Sequence, residues 1–148
     1  MLTVYGGRPA MHRRIAEEAL GRLAHFFPPS KPWTARTPLP GGDFAHDGMP
    51  ALIHATQQRW PFLTAEHARR LTRAYGTRVD RILKSAARLD DLGMRFGADL
   101  TAAEVRYLMS EEWAQTAGDV LWRRSKLGLR LSEAQQAVLD RFMAQESA

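Results

Sequence analysis

Cysteine is missing from this chain. Its absence excludes disulfides, thiolate metal sites and cysteine nucleophiles, and it fits a reducing cytosol. No apolar run approaches the roughly 20 residues that span a bilayer. Met1 is followed by neither a basic start nor a long apolar stretch, so a secretory leader is not expected and a cytoplasmic location is. Phosphate-cradling loops are missing too: Gly6-Gly7 is not followed by further glycines at nucleotide-binding spacing, and no G-x-G-x-x-G occurs. The histidines, His12, His25, His46, His54 and His67, are scattered and form no H-E-x-x-H pattern, so no metal site is expected. The serines lack a nucleophile-elbow context. The paired acids Asp90-Asp91 and Glu111-Glu112 are adjacent, so their side chains point apart and do not share a proton. No self-contained active site is visible, and no catalytic residue is assigned.

What remains is the material of a globular domain. The 148 residues are 45% hydrophobic and 25% charged, enough for one domain with a real core. The net charge is +5, and arginine carries most of it, since Lys31, Lys84 and Lys126 are the only lysines. Such a surplus permits contact with phosphate or anionic lipid without demanding it. Bases mostly sit beside acids, as in Arg13-Arg14 before Glu17-Glu18, which reads as solvated helix faces. Trp33, Trp60, Trp113 and Trp122 fall on different elements and read as core area rather than as a stacking platform. Arg70, Arg73, Arg78 and Arg81 read as a solvent-facing row.

Hydrophobic periodicity predicts an all-α fold of six or seven short helices, with a short strand over Leu2–Tyr5 ended by Gly6-Gly7. A first helix runs over 10–27 with Met11, Ile15, Leu20, Leu23 and Phe27 on one face, stopped by Pro28-Pro29. Residues 28–47 are punctuated by proline and glycine yet carry Trp33, Leu39 and Phe44, so a packed irregular loop is expected. A helical domain then occupies 48–148. Its helices cover 49–60, then 65–75 capped by Thr64 and ended at Gly76, then 78–87. Leu92–Gly97 reads as a turn. Thr101 and Glu104 have capping-box spacing, with Leu100 and Val105 placed as a hydrophobic staple, and the helix they start buries Val105, Leu108, Met109 and Trp113. Asp119–Lys126 forms another helix, with Asp119 and Arg123 four apart. Ser132 and Gln135 form a second capping box before a last helix that turns Val138, Leu139 and Phe142 inward.

Several short motifs recur in one order. Thr3-Val4-Tyr5-Gly6-Gly7-Arg8 leads into a helix with Arg13 and Ala16 three apart. Leu39-Pro40-Gly41-Gly42, Trp60-Pro61-Phe62-Leu63, Tyr75-Gly76, and Asp91-Leu92-Gly93 with Phe96-Gly97 follow. Glu104-Val105-Arg106-Tyr107-Leu108, Glu112-Trp113-Ala114, Asp119-Val120-Leu121-Trp122-Arg123-Arg124 and Lys126-Leu127-Gly128-Leu129 complete the run. In number, order and spacing they resemble the C-terminal part of the FAD-dependent (respiratory) glycerol-3-phosphate dehydrogenases over nearly the whole chain. The resemblance implies a helical C-terminal domain of an enzyme that oxidises sn-glycerol 3-phosphate to dihydroxyacetone phosphate and passes electrons to quinone. It implies FAD in the full-length enzyme and none held by this chain alone. It also implies that residues 1–9 end the flavin-domain strand and that 10–27 connect it to the rest. The expected partner is the N-terminal FAD-binding domain of the same enzyme, with peripheral contact at the inner face of the cell membrane also allowed.

In related flavoproteins the helix after this turn points its N-terminus at the flavin, where free N–H groups stabilise anionic charge. Gly7, Arg8 and Arg13 are therefore the implied cofactor-binding residues, within the full-length enzyme only. The departures from the family fall at this turn: Arg8 for lysine, Met11 for a small polar residue, His12 for tyrosine, and Pro9, which removes an amide. A diverged enzyme, a degenerate gene and a replaced segment each fit that pattern. Two other classes stand beside this reading: a helical interaction module for a partner subunit or anionic membrane surface, and, last, a nucleic-acid binder. No recognition helix is visible, and no nucleic acid is expected.

Overall fold

The computed structural model of the chain describes residues 1–28 and 30–146, with the backbone alone at Pro9. Pro29, and Ser147 and Ala148 of the expected helical domain, lie outside the described residues. The chain divides into two compact units, Met1–Leu39 and Pro40–Ala148. The division falls eight residues before the expected start of the helical domain, 47 − 39.

In the first unit a single turn, Pro9–Met11, leads into α1, His12–Arg22, followed by single turns at Ala24–Phe26 and Thr34–Arg36. The helix expected over 10–27 is therefore interrupted. Leu23 leaves helical geometry, and its N–H takes Leu20 O at 3.0 Å, a tightened last turn. Phe27 is extended, as the residue before a proline tends to be. Leu2–Tyr5 form no strand, because nothing among the described residues pairs with them. The expected packing of the following loop also fails in this unit: Trp33 is 64% exposed and Leu39 68%. None of the unit's described residues is buried.

The second unit holds the core. Its elements are α2 (Met49–Arg59), α3 (Ala65–Tyr75), α4 (Val79–Leu83), β1 (Arg95–Gly97), β2 (Leu100–Thr101), α5 (Ala102–Glu111) and α6 (Glu133–Glu146). A π-helical turn, Asp119–Arg124, stands where an ordinary helix was expected. The Thr64 side chain accepts the His67 N–H at 3.2 Å and starts α3, as the capping pattern predicts. At the other end Gly76 has φ 56° and lies against Gly41 (φ 86°) of the preceding loop. A side chain on either glycine would strike the other segment's backbone, at 1.8 Å from Gly41 O or 2.4 Å from Tyr75 O. Thr77 N–H then bonds Gly41 O at 3.1 Å, which locks the loop to α3. The helix expected over 78–87 stops at Leu83, since Lys84 takes φ 46°.

The segment 92–101 is a small antiparallel hairpin rather than a plain turn. Arg95 pairs with Thr101 and Gly97 with Leu100, with a bulge between. Ala98 and Asp99 at its tip both have positive φ, 46° and 63°, as the twist of a tight hairpin requires. Strands of three and two residues are too short to show alternation in sequence. The core is built from Leu71, Ile82, Leu83, Phe96, Leu100, Val105, Leu108, Val120, Leu121, Leu139 and Met143, all buried. Ser132 and Gln135 form the second capping box as expected, with Ser132 N–H on Gln135 Oε1 at 2.9 Å and Gln135 N–H on Ser132 Oγ at 3.4 Å. Leu139 is buried, while Val138 and Phe142 pack on the core half-buried.

Candidate functional site

The expected cofactor contacts lie in the first unit. Gly6 and Gly7 both take positive φ, 72° and 117°, which side-chain-bearing residues rarely adopt. A Cβ on Gly7 would lie 2.7 Å from Ile15 Cδ1, so the turn presses directly on α1. The Arg8 carbonyl accepts the Met11 N–H at 2.8 Å, while its side chain is exposed. Together Val4, Gly6, Gly7, Arg8, His12 and Ile15 border an open hollow of about 400 Å³. The first turn of α1 contains no acid, and Met11 gives it no side-chain cap.

Arg13 does not border that hollow. Its Nη1 donates to Glu17 Oε1 at 2.9 Å and to Thr34 Oγ1 at 3.3 Å, and Thr34 Oγ1 donates in turn to Glu17. The Thr34 hydroxyl, with Arg13 behind it, holds the Glu17 carboxyl below its usual range. The structure thus brings Gly7 and Arg8 together and ties Arg13 to an acid and a hydroxyl.

The second unit contains a charge cluster that the sequence reading missed. Glu104 is fully buried. Thr101 makes no side-chain cap to α5, and the Glu104 carboxylate instead receives Arg70 Nη1 and Nη2, each at 2.7 Å, and the Tyr75 hydroxyl at 2.6 Å. Arg70 Nε also donates to Asp99 Oδ1 at 2.5 Å. The expected capping box is overridden because a buried carboxylate is stabilised far more by a forked guanidinium than by one backbone amide. Burial alone would lower the Arg70 guanidinium, but the hydrogen bonds and charge of Glu104, with Asp99, raise it above its ordinary value. Burial first, and Glu104 second, push the Tyr75 phenol far up, so it remains a donor. Arg70 therefore belongs to this cluster and not to a solvent-facing row. Arg78 and Arg81 of that row converge on Glu111, at 3.3 and 2.8 Å.

His67 borders the same cluster and is 4% exposed. Its Nε2 has no hydrogen-bond partner among the described residues. Burial lowers its basicity and Arg70 lowers it further, against the opposing pull of Asp99 and Glu104, so the ring stays neutral. The other four histidines are exposed. The Arg70 and Tyr75 donors in the cluster all have acceptors in Glu104 and Asp99. Its chemistry is that of a clamp between α3, the hairpin tip and α5.

A wide cleft of about 1130 Å³ opens beside α4 and α5, with Arg81, Lys84, Arg106, Tyr107, Glu111 and Glu146 on its walls. Arg81 is matched by Glu111, and Arg106 donates to both Glu146 oxygens at 2.8 and 2.9 Å, so the cleft carries little unbalanced charge. Trp113, expected in the core, is 84% exposed with φ 57°. Trp60 is buried as expected. Asp119 and Arg123 pair at 2.6 Å as their spacing predicts. Among the described residues no three His, Asp or Glu side chains group as metal ligands, and no helix is long and apolar enough to cross a membrane.

Comparison with known proteins adds a family pattern. Residues 32–146 match the family model described as the C-terminal domain of alpha-glycerophosphate oxidase. A glycerol-3-phosphate dehydrogenase of Pseudomonas aeruginosa is 46% identical over 99% of this chain, which covers 28% of that protein. A D-erythritol 1-phosphate dehydrogenase of Brucella abortus is 38% identical over 93% of the chain and 28% of its own length. The aerobic glycerol-3-phosphate dehydrogenase of Escherichia coli is 36% identical over 98% of the chain and 29% of its own length. The chain thus spans little more than a quarter of these relatives.

Proposed function

This chain belongs to the family of the C-terminal domain of alpha-glycerophosphate oxidase, and from that premise we propose that it acts as the helical C-terminal part of an FAD-dependent glycerol-3-phosphate dehydrogenase. The activity resides in the longer protein, which oxidises sn-glycerol 3-phosphate to dihydroxyacetone phosphate and delivers electrons to quinone. The role of this chain is to pack on the flavin-bearing body and to complete one edge of its site.

One observation carries the reading. The first unit has an amphipathic helix and, among its described residues, none that is buried. Met11 and Leu20 of its apolar stripe are about half exposed, at 43% and 51%. A helix of this length is marginal without a packed face. The family model begins at residue 32, yet the relatives align through almost the whole chain, including α1. Residues 1–31 therefore fit best as part of the preceding flavin domain, whose core would cover the stripe. The second unit has its own core and fits as the separate helical domain.

The residues of the Gly-Gly turn fit an anionic cofactor edge. Two glycines of positive φ, an exposed Arg8, and a first helical turn free of acids all favour negative charge. Gly7 would allow close approach, Arg8 would supply charge, and Arg13 would hold the turn through Glu17 and Thr34. FAD, when bound by the longer protein, supplies the hydride acceptor. Access to a membrane surface would bring the flavin near quinone, as a peripheral contact of the whole enzyme.

A second substrate, erythritol 1-phosphate, is favoured by the Brucella relative alone. The test joins this chain to the preceding region of the P. aeruginosa relative in place of its own C-terminal part. The hybrid is expected to bind FAD and to reduce an artificial acceptor with glycerol 3-phosphate in preference to erythritol 1-phosphate. The isolated chain is expected to show no flavin absorbance. A hybrid that folds without FAD, or FAD retained by the isolated chain, overturns the reading.

A further inference from the structure

Among the described residues of the second unit, four large apolar side chains are exposed: Met94, Trp113, Trp122 and Leu129. Three of them lie within the short stretch 113–129. The local backbone presents them rather than merely failing to bury them. Trp113 occupies the left-handed position just past α5, where glycine ordinarily serves. A bulky residue there is an outlier that the surrounding structure must enforce. The enforcement is visible: Ala114 N–H reaches back to Leu108 O at 3.0 Å, and Arg124 donates through Nε and Nη2 to Glu112 O at 3.2 and 2.8 Å. Trp122 is laid flat on the backbone of Gly128, since a Cβ on that glycine would lie 2.5 Å from the indole. Leu129 follows and is 77% exposed.

We propose that Trp113, Trp122 and Leu129 form the face by which the second unit docks on the preceding flavin-bearing domain of the same polypeptide. The inference rests on the family reading above and adds the location of the contact. The relatives are more than three times the length of this chain, so a C-terminal domain of this kind has a large body to face. The chemistry of the occupant follows from the indoles. Neither indole N–H has a partner among the described residues, and covering one without an acceptor is costly. The opposing surface is therefore apolar with two carbonyl or carboxylate acceptors.

Charge argues against a lipid surface as the occupant. Arg123 is paired with Asp119 at 2.6 Å, Arg124 with the Glu112 carboxylate at 3.9 Å, and Arg130 with Glu66 at 3.4 Å. Lys126 Nζ bonds the neutral Trp122 carbonyl, so a single basic charge in this stretch stands without an acidic partner among the described residues. Attraction to anionic lipid needs basic side chains in excess of their acidic neighbours.

The test is hydroxyl-radical footprinting of Trp113, Trp122 and Leu129 in the isolated chain and in the FAD-loaded hybrid with the P. aeruginosa body. Oxidation of both tryptophans is expected to fall by roughly fivefold or more in the hybrid, as for residues at the centre of a protein interface. Unchanged oxidation in a hybrid that carries FAD overturns the docking face and leaves the family reading intact. Protection that arises only on adding phosphatidylglycerol vesicles overturns it in favour of a membrane surface. Protection already present in the isolated chain and rising with its concentration overturns it in favour of a second copy. Should the hybrid fail to load FAD, the proposed role within the flavoenzyme falls. The same footprint is then read on the full-length P. aeruginosa protein at the aligned positions, where solvent access at all three overturns the face.

Discussion

At the scale of single residues, Glu104 is the most consequential side chain in the second unit. It is fully buried and receives three donated hydrogen bonds, two from Arg70 and one from Tyr75. Its removal leaves a guanidinium and a phenol without their acceptor in a dry site. E104A is expected to cost about 4 kcal/mol, read from urea unfolding. The double variant R70M/E104L removes both charges together and is expected to recover most of that loss. Recovery of nothing would show that the clamp contributes more than charge compensation.

His67 beside that clamp sets a pH dependence. Its folded basicity lies below the ordinary histidine value of 6.5, chiefly through burial. The unfolded chain therefore takes up a proton that the folded chain refuses. Stability contributed by the neutral ring is complete above pH 6.5 and is lost progressively as pH falls below it. H67L is expected to flatten the slope of unfolding free energy against pH in that window. A slope unchanged by H67L would place the proton uptake elsewhere. Trp113 has the opposite character, a residue whose backbone works against the fold. W113G is expected to stabilise the isolated chain by about 1 kcal/mol, because glycine enters the left-handed region without penalty. In the longer hybrid the same change is expected to weaken docking.

At the scale of elements, the contact between the Pro40–Asp43 loop and the end of α3 depends on two glycines facing each other. A Cβ on Gly76 would stand 1.8 Å from Gly41 O, a backbone atom that cannot yield. G76A is expected to cost about 3 kcal/mol, since strain at positive φ adds to the collision. Circular dichroism with urea titration reads the loss. The π-helical turn has a local explanation. Asp119 accepts the backbone N–H groups of Gln115 and Thr116, both at 3.0 Å, and those bonds hold its carboxyl down to about 2. Its start is thereby anchored, and Ser125 N–H closes on Val120 O at 3.0 Å. The spacing of Val120 and Leu121 shows an apolar face but not which helical pitch will present it. By contrast, the Thr64 and Ser132–Gln135 starts were legible because a capping bond joins residues three apart and needs no distant partner. The Thr101–Glu104 pattern has the same local form. It failed because Arg70, 34 positions earlier in the chain, offers the carboxylate a stronger site.

At the scale of the whole molecule, the two units answer differently to solvent. The second has a continuous apolar core and a buried ion cluster. The first has an amphipathic helix and no buried residue among those described. Hydrogen exchange on the isolated chain is expected to find the α1 amides weakly protected and those of α3 and α5 strongly protected. Equal protection in both would contradict a first unit that waits for a larger body.

The sequence by itself determined the family, the helical class and the capped starts of α3 and α6. These depend on composition, on local spacing and on motif order, which are fixed before the chain folds. Tertiary structure alone decided that Glu104 turns to Arg70, that His67 is buried without a partner for Nε2 among the described residues, that Trp113 faces solvent, and that residues 92–101 close as a hairpin. Each of those outcomes compares a local preference with a contact from far along the chain, and the stronger desolvated interaction wins only once folding has brought the two together.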